Sequence, residues 1–78
     1  MRITIIPQSG TVKVDGVAVH DLSMASVADT VHAVQWYDTE GEIEHKDPET
    51  GLMTHNEAIT SISGFATVLA LHAAAVGP

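Results

Sequence analysis

The sequence contains no cysteine, so disulfide staples and thiolate zinc sites are both excluded, and nothing in it points to an oxidising compartment. Positive charge is nearly as scarce: three Lys and Arg stand against ten Asp and Glu, a formal net charge of −7. Phosphate binding rests on Lys and Arg, so nucleic acid is not expected as a partner, and the same deficit argues against an anionic membrane. Long hydrophobic runs are missing too. The opening "MRITIIPQSG" holds a short apolar run broken by Pro7, below the roughly 7–15 residues of a signal-peptide core, and reads as a strand of the mature protein not secreted by a signal peptide. Ala58 to Pro78 carries no Asp, Glu, Lys or Arg, but Thr60, Ser61, Ser63, Gly64 and His72 interrupt it and no basic flank follows. A span needs about 20 predominantly apolar residues, so no membrane segment is expected.

What remains is a chain of 78 residues, one domain over 1–78. At this size a single core yields only about 3–5 kcal/mol, so a staple from oligomerisation or from an oxygen and histidine metal site would be useful. Gly and Pro punctuate short elements. "RITII" (Arg2–Ile6) is β-rich, "PQSG" turns, and "TVKVDG" alternates with Val12 and Val14 on one face. Asp15-Gly16 is a favoured two-residue hairpin turn, after which "VAVHDL" can return as a strand. Ser23 could cap one helical turn through Val27.

"TVHAVQWY" (Thr30–Tyr37) is the strongest strand signal, with His32, Val34 and Trp36 on one face and Val31, Ala33, Gln35 and Tyr37 on the other. "DTEG" suits a turn in which Gly41 takes positive φ, and "EIEHKD" follows as a half-buried strand. "DPETG" turns again and "LMTHNEAI" runs back. Residues 1–57 are therefore mainly β, and 61–76 form the C-terminal helix, with Ser61 or Ser63 at its start and Gly77-Pro78 at its stop. Phe65, Val68, Leu69, His72 and Val76 fall on one stripe, while Ala66, Thr67, Ala70, Leu71, Ala74 and Ala75 leave the opposite side apolar as well. One sheet covers only one side of such a helix, so Phe65, Val68, Leu69, Leu71 and Val76 are candidate interface residues.

The expected fold is α+β: a meander-like antiparallel sheet of four to five short strands with one C-terminal helix packed on a face. Trp36 and Phe65 lead the expected core, surrounded by Ile3, Ile5, Val12, Val14, Val34, Ile43, Val68 and Leu69. Tyr37 is placed at the rim.

The acidic stretch from Trp36 to Gly51 is the part of the chain that invites a chemical reading. For calcium, the spacing D-x-[DN]-x-[DN]-G-x5-E fails on Glu40 and Gly41, leaving only a loose set of Asp38, Glu40 and Glu42. For zinc, His32, His45 and His55 could approach one another if their strands pair in register, without any H-x-H or H-x-x-x-H spacing to support them. Glu42 and Glu44 lie on the polar face of a hairpin, and a trio of Ser23, His32 and Asp29 lacks the G-x-S-x-G elbow of a nucleophile. Charges on an exposed strand face have a plainer use in keeping an edge from pairing with other chains. No catalytic, cofactor-binding or metal residue is assigned, and no cofactor is expected.

The stretch "VHAVQWYDTEGEIEHKDPETGLMTHNEAITSI", Val31 to Ile62, resembles a group of small proteins encoded in tailed-phage and prophage genomes among tail and tail-fibre genes. The opening "ITIIPQSGTVKVDGV" fits the same group. The resemblance implies a non-enzymatic tail structural or tail-assembly protein. Its partners would be other phage tail proteins or a second copy of itself, in the host cytoplasm during assembly and in the virion. Such a helix would be expected to carry more polar residues than "FATVLALHAAAVG" does, which points to self-association. Two other readings use the same residues: a small metal-binding module or hydrolase built on His32, His45 and the hairpin carboxylates, and an acidic inhibitor of a host protein.

Overall fold

The computed structural model describes residues 1–77, so of the expected helix stop at Gly77-Pro78 the proline lies outside them. Six strands, β1 (Arg2–Ile6), β2 (Thr11–Val14), β3 (Val17–Val19), β4 (Val31–Tyr37), β5 (Glu40–Lys46) and β6 (Met53–Ile59), precede a helix, α1 (Ala66–Val76). The strands make one sheet in the order β3-β2-β1-β4-β5-β6, and every neighbouring pair is antiparallel.

The class is therefore α+β as expected, with two corrections. The strands number six instead of four to five, and the sheet is two three-stranded meanders joined through β1 and β4, not one continuous meander. The reason is burial. β1 and β4 hold most of the buried side chains, Ile3, Ile5, Val31, Ala33, Val34 and Trp36, and a buried strand is satisfied by neighbours on both sides. The chain accordingly leaves the β3 edge and crosses back over residues 20–30 to lay β4 against β1.

Register decides which residues meet. Ile3 faces Val14 on one side and Trp36 on the other, Ile5 faces Val12 and Val34, and Val34 faces Ile43. Residues directly opposite one another project from the same side of a sheet, so these seven form one apolar face. Ile3, Ile5, Val12, Val34, Trp36 and Val68 are buried, and Val14, Ile43, Phe65 and Leu69 pack partly buried around them. Leu22, Met24 and Val27 from the crossing segment, with Ile59 and Ile62, close the border. Tyr37 is on the opposite, open face and exposed, where Arg2 lies over its ring.

A bulge corrects the expected alternation of β4. The pairing shifts between Val31 and Ala33, so Val31 joins Val34 and Trp36 in the core instead of facing away from them. Ala33 is buried as well, which the sequence pattern did not indicate.

The turns follow from local chemistry. Asp15 and Gly16 both take positive φ, 47° and 87°, the signature of the type I′ hairpin expected there. The β4–β5 turn differs from expectation: Asp38 takes the positive φ, 54°, while Gly41 lies inside β5 with extended pairing to Trp36. Ser23 caps no helix; its hydroxyl accepts from the Ala25 N–H at 3.4 Å, at the start of a turn closed by the Val27 N–H donating to the Met24 carbonyl at 2.9 Å.

α1 begins at Ala66, later than the expected start at 61, because Ser63–Phe65 wind into a tighter 3-10 turn capped by the Ser61 hydroxyl, which accepts from the Ser63 N–H at 3.2 Å. The helix lies over β2 and β3. Val68 is fully buried beneath it, and His72, also buried, donates from Nε2 to the Val17 carbonyl of β3 at 2.8 Å. A carbonyl only accepts, so that nitrogen carries the ring proton.

Six strands at about 4.8 Å spacing make a sheet two to three times as wide as a helix of about 10 Å. α1 therefore covers one end of the sheet and leaves β5 and β6 to the other.

Candidate functional site

Alternation along β5 sends Glu40, Glu42 and Glu44 to the open face, opposite Tyr37, Gln35 and Ala33 of β4, and Lys46 opposite Met53 of β6. Glu40 and Glu42 border a shallow depression of about 500 Å³ that is also lined by Arg2, Gln35, Tyr37 and Thr60. The Arg2 guanidinium sits 5.7 Å from the centre of the Tyr37 ring, a cation–π contact. One cation, one phenol and two carboxylates on an open sheet surface offer a polar contact area. They bring together neither a nucleophile with a base nor a set of metal donors.

Asp38, the third carboxylate of the loose calcium set, is engaged elsewhere, in an ion pair with the Met1 ammonium group. The hydrogen bond from that ammonium holds the amine above its ordinary value of 8.0; burial opposes the shift, and the charges of Asp38 and Asp15 add to it. Asp38 thus ties the β4–β5 turn to the start of β1.

Two of the three candidate zinc histidines do meet. His45 on β5 and His55 on β6 are directly opposite, and their rings stack 4.6 Å apart at 17°. His45 Nε2 also contacts Glu57 Oε1 at 2.8 Å, one alternation further along β6. His32 takes no part in this arrangement, and among the described residues no group of three His, Cys, Asp or Glu could hold a metal ion. Glu57 is the residue that sequence reasoning overlooked. The signal was present, since Glu57 and His55 share a strand face by the period of two.

Ser23, His32 and Asp29 are joined by no hydrogen bond among the described residues. A different polar chain exists: Ser9 Oγ lies 2.8 Å from Thr11 Oγ1, which lies 2.8 Å from His20 Nδ1. No carboxylate orients the histidine, so the chain serves to tie the turn after β1 to the segment after β3.

The remaining feature is the sheet edge itself. The two edges are β3 and β6, and they are treated differently. β3 has three residues and is clamped by His72 from α1. β6 has seven residues, six of them exposed, and contributes only Ile59 to the border of the core. Edge strands are usually blunted by Lys, Pro, shortness or a bulge; "MTHNEAI" has no Lys or Pro and runs seven residues, with one irregularity at Thr54. Leu52 and Met53 at its start are 69% and 50% exposed.

The helix residues singled out from sequence are distributed unevenly. Val68 is spent within the chain, Phe65, Leu69 and Leu71 are half-buried, and Val76 is exposed. The outward side of α1 is mainly alanine. No helix of the described chain is long and apolar enough to cross a membrane. In comparisons with known proteins, the chain matches no family model, no curated protein and no solved structure.

Proposed function

We propose that this is a non-enzymatic protein that acts through protein–protein contacts, as a structural or assembly component among the tail proteins of a tailed phage or prophage. The observation that carries the contact reading is β6, a seven-residue edge strand with no strand on its outer side and with exposed Leu52 and Met53 at its start. An extended segment of another protein can add to such an edge through main-chain hydrogen bonds. The phage assignment rests on the wording of Val31 to Ile62, which covers β4, β5 and β6. Action in the host cytoplasm during assembly, and retention in the virion, belong to the same reading.

The test is capture of purified tail and tail-fibre proteins encoded beside its gene, using the folded chain as bait. A stoichiometric complex is the expected result. Failure to bind any of them with the sheet intact overturns the assignment.

A further inference from the structure

The middle of β6, residues 55–57, reads as its own complement. We infer that β6 pairs antiparallel with β6 of a second copy about a two-fold axis at Asn56, making one continuous sheet across the dimer; this rests on the contact reading above and names the partner. In that register His55 stands opposite Glu57 and Asn56 opposite itself, and the irregularity at Thr54, the extra residue of β6 between the partners of His45 and Lys46, ends the regular pairing there. The His55–Glu57 pair occurs twice by symmetry. The pairing sets an imidazole against a carboxylate on each side of the axis.

Neighbouring registers that keep the faces of the sheet are worse. A two-fold at His55 sets the two His55 rings opposite one another, and a two-fold at Glu57 sets carboxylate against carboxylate, which is destabilising. The charge pattern therefore selects the Asn56 register. Within the chain Glu57 already accepts from or pairs with His45 through Oε1, and His55 Nδ1 lies 3.2 Å from Thr54 Oγ1. Glu57 Oε2 and His55 Nε2 are the atoms that remain for the second copy.

Net charge sets the same preference. Each copy carries −7, so two copies repel wherever their acidic surfaces approach. β6 contributes one of the ten acidic residues, whereas β5 contributes three. Pairing through β6 holds the two β5 strands three strand spacings apart, about 14 Å, beyond the Debye length of about 8 Å at physiological salt.

The experiment is sedimentation equilibrium of the full chain over a concentration series. It is run on the parent, Asn56→Lys, Glu57→Lys, the double exchange His55→Glu with Glu57→Lys, and Val76→Glu, with circular dichroism confirming that each keeps its sheet. The parent is expected at twice the chain mass. Asn56→Lys places two ammonium groups face to face and weakens the dimer about fivefold or more; Glu57→Lys acts twice and weakens it about tenfold or more; the double exchange recovers most of the loss. A parent that stays monomeric throughout, or a dimer indifferent to Asn56→Lys and Glu57→Lys, overturns the inference. So does a dimer lost on Val76→Glu and kept on Asn56→Lys, which assigns the contact to α1.

Should a variant unfold, hydrogen exchange of the parent reads the same point. Protection of the β6 amides that rises with protein concentration is expected, and protection independent of concentration overturns the pairing. A monomer that still captures tail proteins refutes self-pairing and leaves the proposed function standing; a β6 dimer that captures none supports self-pairing and removes that function.

Discussion

Gly41 shows how tightly a single position binds two strands together. A Cβ added there would meet the Gln35 carbonyl oxygen at 2.2 Å, the Trp36 Cα at 2.9 Å and the indole Cε3 at 3.0 Å. No flexible side chain can move aside to relieve the first two contacts. Gly41→Ala is expected to push β5 away from β4 and to cost about 1–3 kcal/mol or more, read as a lower denaturation midpoint at unchanged slope. Gly16 is the contrast, since its requirement is the positive φ of the turn and its Cβ would meet nothing within 4 Å. From sequence the two glycines look alike, each following an acidic residue or turn pair. Which one serves backbone conformation and which serves close approach depends on what lies across the strand.

At the scale of elements, the helix and the two sheet edges divide the work. α1 is apolar on all sides, and periodicity alone leaves open which side meets the sheet. The choice is made by Val68 in the core and by His72, whose ring N–H reaches the Val17 carbonyl of the far edge strand. Val68→Glu is expected to detach the helix, seen as loss of helical signal and of a single cooperative transition. Val76→Glu, on the exposed side, is expected to change stability by no more than about 0.5 kcal/mol in the same denaturation experiment. Both residues sit on the stripe read from sequence, so their difference is a product of docking. β3 owes its place to the same contact. Three residues are a short strand, and its register with β2 is joined by a side-chain clamp from the helix.

At the scale of the whole molecule, the charge is concentrated where the core is thinnest. β5 and β6 carry Glu40, Glu42, Glu44 and Glu57 and bury little, while β1, β2 and β4 hold nearly all the buried side chains. This asymmetry sets the consequences of metal addition. His45, His55 and Glu57 come together, but Glu57 is engaged by His45 and no third donor set forms among the described residues. Zinc or calcium added to chelator-treated protein is therefore expected to leave the thermal midpoint unchanged, since a ligand stabilises only the state that binds it. An upward shift with stoichiometric uptake would reinstate the metal-module reading.

The amino-acid sequence by itself determined the positions of the strands, the type I′ turn at Asp15-Gly16, the C-terminal helix and most of the core. Each of these follows from local chemistry: β-branched residues at a period of two, a dipeptide that tolerates positive φ, and an apolar run between a serine and a glycine. The histidine pairing at His45 and His55 was half legible, because both residues were visible but their register was not. Only the tertiary structure decided that β1 and β4 are neighbours, that a bulge turns Val31 into the core, that His72 clamps β3, and that β6 is left as an open edge. These facts depend on which strands meet across long stretches of chain. That choice is made by placing the longer strands with the largest apolar side chains, β1 and β4, at the centre of the sheet, a property of all six together and of no one segment.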